Sequence, residues 1–390
     1  MYRFVFLFFL VFIFSCDRKK KIKAFPEITI NKFHDILFSI DSSNVSNKIS
    51  ELHVQDSFFL DFYVNEVLYT DKNLLDTAKS ERVQDFLIQY SQNKFRREVY
   101  DSICKVFGDF DSMQKDIDKL FANYRSLLPK SNLQIGKITT CYTNFMFDIG
   151  ETSYQNNKID LLVSLESFLG SESKFYSPVG FPQYRKFHMS KNYLLPSLMV
   201  YWFERNFIAK NFNNRPTVLD MIIYEGKKLY FLDLMFPDLE MHTKFLFKKN
   251  ELDYIQKYEF DLWHELKEKE LLYEQYSNKY KNFFNLENQD DLMKSPTKFG
   301  SFIGYKIVES YMNNNEVDLY TMLNSQQSSS DFLMDSKYQP SNKEESSFFN
   351  LESITSSKLI LIISLIILLL LGLYYRLKKI KYNYEEKTNF

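Results

Sequence analysis

The side chains best suited to chemistry are scarce in this chain: 5 His and 3 Cys among 390 residues. His, Cys and carboxylate groups supply most metal ligands, nucleophiles and proton carriers. In Trp263-His264-Glu265-Leu266-Lys267-Glu268, His264 and Glu268 stand four apart and so share one helical face, the start of a divalent-cation pair. Two ligands fall short of catalytic zinc, which takes three plus a water. Lys and Glu on every turn there read more simply as a solvated helix. His34, His53, His188 and His242 form no ligand-spaced cluster and read as structural or exposed. Glu225 lies in an apolar stretch, and Tyr224, Tyr230 and Phe231 either line a residual cleft beside it or pack in the core; packing is the simpler reading. Asp233 and Asp238 read as helix-end groups. No catalytic residue, metal ligand or cofactor is assigned. Of the three cysteines, Cys16 stands at the end of an N-terminal apolar run, where the chemistry is acylation.

That run opens on Arg3 and continues from Phe4 to Phe14 without charge, Gly or Pro. It has the make-up of a secretory signal and is too short for a permanent span. Ser15-Cys16 at its end resembles a bacterial lipobox, which implies cleavage before Cys16 and lipids on its thiol and new amino terminus. The alternative is an ordinary signal peptide with a chance cysteine. Residues 16–26 then form a charged tether (DRKKKIK at 17–23), suited to anionic headgroups.

At the other end, Leu359 to Tyr375 is uncharged over seventeen residues, and eleven of the first twelve are Ile or Leu, which leaves no polar face. At about 1.5 Å per residue this covers most of a bilayer's apolar layer. A transmembrane helix at 358–375 is expected, joined to the body by a Ser-rich linker at 341–357. The basic tail at 376–390 keeps the C-terminus cytoplasmic. Both ends then fasten one body, residues 27–340, to the cytoplasmic membrane from the periplasmic side.

A formal net charge of −1 gives no reason to expect a nucleic-acid partner. With 39 Phe, 27 Tyr and only 9 Gly, the body can bury a large core and favours helices. Helical spacing predicts helices at 33–37, 80–107, 109–128, from Pro196 through Ala209, at 218–237, 253–275 and 299–313. Lys137–Thr143 and Leu161–Leu165 suit strands, and Pro178, Gly180 and Pro182 mark a loop. Gly300 and Gly304 suit close helix packing rather than a phosphate-binding loop, and Asn313 to Asn315 ends their helix. Cys104 and Cys141 either form one disulfide or stay as buried thiols. The fold class is mainly α with a small β-sheet.

Residues 158–340 resemble the gliding-motility lipoprotein GldB of the Bacteroidetes. The resemblance is carried by IDLLVSLESFLGSESKFY (159–176), FPQYRKFHMSKNYLLPSL (181–198), VLDMIIYEGKKLYFLDLMFPD (218–238), ELLYEQY (270–276), FGSFIGYKIVESYMNNN (299–315) and DSKYQP (335–340), in that order. It implies an envelope lipoprotein that supports gliding and the type IX secretion machinery, with envelope proteins and membrane lipid as partners and no catalysis. A C-terminal span is an addition to the family pattern.

Ile222 to Phe231 is also similar to the second half of a zincin metallopeptidase site, where an Ile-x-Glu-Gly stretch supplies the third ligand. The helix before it, at 195–206, reads LPSLMVYWFERN and holds none of the histidines that a zincin places there. The resemblance therefore implies a degenerate, zincin-like body. A membrane-tethered zinc metallopeptidase with non-standard ligands is the alternative function, and a substrate- or peptidoglycan-binding module a third.

Overall fold

In the computed structural model the described residues are 27–68, 81–108, 110–207, 215–285 and 297–341. The signal, Cys16, most of the linker and the apolar segment 358–375 lie outside them. Among the described residues no helix is long and apolar enough to cross a membrane. The chain divides after Tyr338, and the elements below belong to the first unit.

A four-stranded sheet carries the helices. β1 (Thr29–Lys32), β2 (Gln134–Cys141) and β4 (Lys158–Ser164) run parallel, and β3 (Ile149–Gln155) pairs antiparallel with β4, giving the order β1-β2-β4-β3. A parallel neighbour needs a crossover. Among the described residues, five α-helices and a π-helical turn (Tyr63–Val67) lie between β1 and β2: α1 (Phe33–Phe38), α2 (Val45–Phe62), α3 (Glu81–Gln92), α4 (Lys94–Phe107) and α5 (Asp111–Leu127). Each of the longer ones buries a stripe, as α5 does with Met113, Ile117, Leu120, Phe121 and Tyr124. β3 and β4 join through Asn156 and Asn157, both at positive φ (51° and 61°), which suits the twist of a two-residue hairpin.

The expected strands are both present, at 134–141 and 158–164, each beginning three residues earlier than expected and ending short of Thr143 and Leu165. β1 and β3 were not expected. β1 has four residues, and all of β3 is half-buried or exposed, so neither shows an apolar alternation. Two expected helices are each split. The 80–107 stretch breaks at Asn93, whose side chain caps α4 by accepting from Arg96 N–H at 3.2 Å.

The second half is helical. α6 (Lys191–Asn206) starts a turn before Pro196 and passes through it, with the proline ring buried. α7 (Val218–Met235) opens with a capping box: Thr217 Oγ1 accepts from Asp220 N–H (3.2 Å), and Asp220 Oδ2 accepts from Thr217 N–H (2.7 Å). The stretch expected as one helix at 253–275 is α8 (Lys249–Lys257) and α9 (Glu259–Glu268). α10 (Phe299–Asn314), α11 (Leu319–Leu323) and α12 (Ser329–Ser336) complete the unit. α7 and α10 are buried along most of their length and cross in contact. A Cβ added at Gly226 would overlap the backbone of Gly304, and one at Gly304 would overlap the Ile222 carbonyl.

Candidate functional site

Glu225 follows from this crossing. Gly226 turns toward α10, and that approach carries its neighbour Glu225 into a nearly closed position, 9% exposed. A buried carboxylate needs a cation or several donors. Lys228, one turn on, donates to Glu225 Oε1 at 2.8 Å and to Glu204 Oε1 of α6 at 2.9 Å. Ser301 of α10 donates to Glu225 Oε2 at 3.4 Å. Burial lowers the Lys228 pKa, but Glu225 and Glu204 outweigh it and raise the ammonium above its ordinary value. The helix expected to carry zinc-binding histidines presents Glu204 instead, and the cation between the two carboxylates is a lysine.

A further cation, Lys298, lies near Glu225, and His188 lies near Lys298. Lys298, just before α10, donates to the Phe245 and Leu246 carbonyls at 3.1 and 3.0 Å. Burial pulls its pKa down to about 8, with Glu225 acting the other way. Burial first, and then Lys298, push His188 down to about 4. Its Nδ1 has no hydrogen-bond partner among the described residues.

The other residues singled out beside Glu225 divide between two neighbours. Tyr224 and Phe231 both pack on Phe203 of α6, with ring centroids 5.8 and 5.4 Å away, and Phe231 is fully buried. Tyr230 faces Tyr305 of α10 at 6.4 Å. Asp233, in the last turn of α7, pairs with Lys244 at 2.6 Å and accepts from Tyr305 OH at 3.1 Å; Asp238 follows the end of α7. The His264 ring lies 4.3 Å from that of Phe260, tilted by 42°, and Glu268 is exposed. Among the described residues no three or more His, Cys, Asp or Glu side chains gather as metal ligands. Cys104 and Cys141 are free thiols, one exposed and one buried.

A second polar centre was not foreseen. Glu166 follows β4 and is fully buried. Its Oε1 accepts from Thr143 N–H (2.6 Å), Thr143 Oγ1 (2.8 Å) and Phe145 N–H (3.1 Å), which ties the loop after β2 to the turn after β4. Its Oε2 has no partner among the described residues. Tyr176 OH lies 3.1 Å from the Glu166 carbonyl and 3.2 Å from that of Met189, so its one proton is shared. Burial pushes the Glu166 carboxyl up to about 7, against the lowering effect of the Thr143 and Phe145 donors. The available signal was a single acid inside the apolar run LLVSLESFLG.

The sequence profile of the gliding motility protein GldB family matches residues 15–340. No curated protein and no solved structure matches the chain. The zincin-like outline around Glu225 therefore has no support from a known structure. The family match covers the whole described body, both polar centres included, and begins one residue before Cys16. The chain belongs to the gliding motility protein GldB family.

Proposed function

We propose that the chain is a non-enzymatic lipoprotein, acylated at Cys16, whose body acts outside the cytosol as an assembly factor for gliding and for the type IX secretion machinery. Its partners are membrane lipid and other envelope proteins of that machinery. The observation that carries the reading is the family match over 15–340, which joins the Cys16 region and the body in one unit. The ion pair and hydrogen bond of Glu225 support the non-catalytic part, because a carboxylate held between Lys228 and Ser301 already has its partners. The apolar run at 359–375 supports a second attachment to the cytoplasmic membrane, on hydropathy alone.

The test is a chromosomal deletion complemented by the full chain or by Cys16→Ser. The reading expects the deletion to stop surface movement and adhesin export, the full chain to restore both, and Cys16→Ser to lose both membrane retention and rescue. Stoichiometric zinc in the purified full chain, with peptidase activity lost in Glu225→Gln, would overturn the non-enzymatic role. Full rescue by Cys16→Ser would overturn acylation as the anchor.

A further inference from the structure

Helix α5 works on two faces. One holds the start of the described chain: Ile28 N–H donates to Asp118 Oδ1 at 2.9 Å, and Gln114 Nε2 donates to the Ile28 carbonyl at 2.8 Å. The other forms one wall of a cavity of about 610 Å³, between α5, the start of α6 and the end of α7. That volume lies within the range of ligand-binding pockets, roughly 300–1,000 Å³.

The lining narrows the class of occupant. Met113 and Leu120 of α5, Leu194 and Leu195 of α6, and Met235 and Leu239 at the end of α7 make it aliphatic and thioether-rich. Among the described residues, Phe236 is the only aromatic side chain in the lining. Ser112, Asp116, Ser126, Lys191 and Asn192 add polar groups at its border, but a sugar would also need rings to stack on. The amide of Asn123 is turned aside, donating to the Leu234 and Met235 carbonyls at 3.1 and 3.3 Å. At the mouth Lys119 and Asp238 face each other at 3.9 Å, with side chains 81% and 90% exposed. Such a pair contributes little and parts readily. An aliphatic chain meets these conditions, and methionines adapt to its shape.

The source of that chain follows from covalent reach. Cys16 stands 11 residues before Glu27, which at full extension allows about 40 Å. Helix α5 has 17 residues, or about 25 Å of length, and its far face lies well inside that radius of Ile28. Tethering gives an effective concentration of the order of mM for short linkers, an advantage that a free phospholipid lacks. We propose that the cavity receives one acyl chain of the lipid on Cys16, so that this family member stows part of its own anchor against α5. The inference rests on the acylation proposed above. Exchange between bilayer and cavity replaces one apolar surrounding by another, so attachment through this chain becomes adjustable rather than fixed.

The experiment uses the full chain in a host that acylates lipoproteins, fed a fatty acid bearing a diazirine and a terminal alkyne. After mild solubilisation and illumination, the expected result is label on Cys16 with cross-links inside the same chain to residues 112–126 or 191–196. Leu120→Trp and Leu195→Trp, two separate ways of filling the cavity, should each lower that cross-link yield at least tenfold while Cys16 stays labelled and circular dichroism is unchanged. Labelled Cys16 without intramolecular cross-links overturns this inference and leaves acylation standing. An unlabelled Cys16 overturns both. A diazirine phospholipid that labels the cavity equally in the acylated chain and in Cys16→Ser assigns the site to free lipid, and cross-links from the cavity to another protein assign it to a partner; either result overturns the proposal.

Discussion

Gly226 of α7 and Gly304 of α10 stand backbone to backbone, with no room for a side chain at either position. This approach carries Glu225 inward and lets Ser301 reach it. Over-packing commonly costs about 1–3 kcal/mol, and here the obstacle is main chain, which yields less than a side chain does. Gly304→Ala should therefore lower the unfolding free energy by about 3 kcal/mol or more, read from urea denaturation of the full chain. A loss below about 0.5 kcal/mol would show that the helices part easily and that the crossing is not what fixes Glu225.

Lys228 gives a sharper test of the same site. Removing one partner of a buried ion pair strands the other and costs about 3–5 kcal/mol. Lys228→Met should fall in that range. Glu204 is about half exposed, so Glu204→Ala should cost no more than about 1 kcal/mol. Glu225→Gln in the Lys228→Met background should restore much of the loss, since a neutral amide tolerates burial better than a stranded carboxylate. Denaturation midpoints of the single and double variants decide it. Additive losses would mean that Lys228 and Glu225 do not act as a pair.

Glu166 predicts a pH dependence. Its folded pKa, about 7, stands above the ordinary 4.5. The native state then keeps a proton that the unfolded chain releases, so stability is greatest below about pH 4.5 and falls as pH rises through 7. The loss for this group is about 3 kcal/mol across that window, from the separation of the two values. Glu166→Gln should remove this part of the slope between about pH 4.5 and 7 in urea titrations. An unchanged slope would mean that Thr143 and Phe145 hold the carboxylate ionised throughout.

Much of the scaffold was legible because its signals are local. The spacing in 299–313 and the glycines within it gave α10 and its close packing, and β-branched runs gave β2 and β4. β1 was hidden because four residues carry no period, and β3 because it buries no clean face. The breaks at Asn93 and Tyr258 were missed because the apolar spacing continues across them while the chain turns. The absence of histidine from α6 was plain in the sequence, but the cation that sits with Glu225 was not. Lys228 is one of many lysines, and its meaning depends on Glu204 arriving from another helix. Glu166 was overlooked for a related reason, since its donors come from a loop more than twenty residues earlier.

The two cysteines of the body offer a direct check on the packing between sheet and helices. Cys104 is exposed on α4, and Cys141 is fully buried at the end of β2, its Sγ 3.7 Å from the Val163 carbonyl. Burial raises the Cys141 thiol well above its ordinary pKa, and the nearby Glu166 adds to the effect. Since the thiolate is the reacting form, Cys141 is protected both by access and by charge state. In Cys16→Ser protein under native conditions, a maleimide should add one label, at Cys104, within minutes, and the second only after unfolding. Cys104→Ser should abolish the fast label. Its denaturation midpoint should be unchanged, because the thiol it removes is exposed. A fast second label in the native state would mean that the end of β2 opens to solvent, and the carboxylate of Glu166 with it.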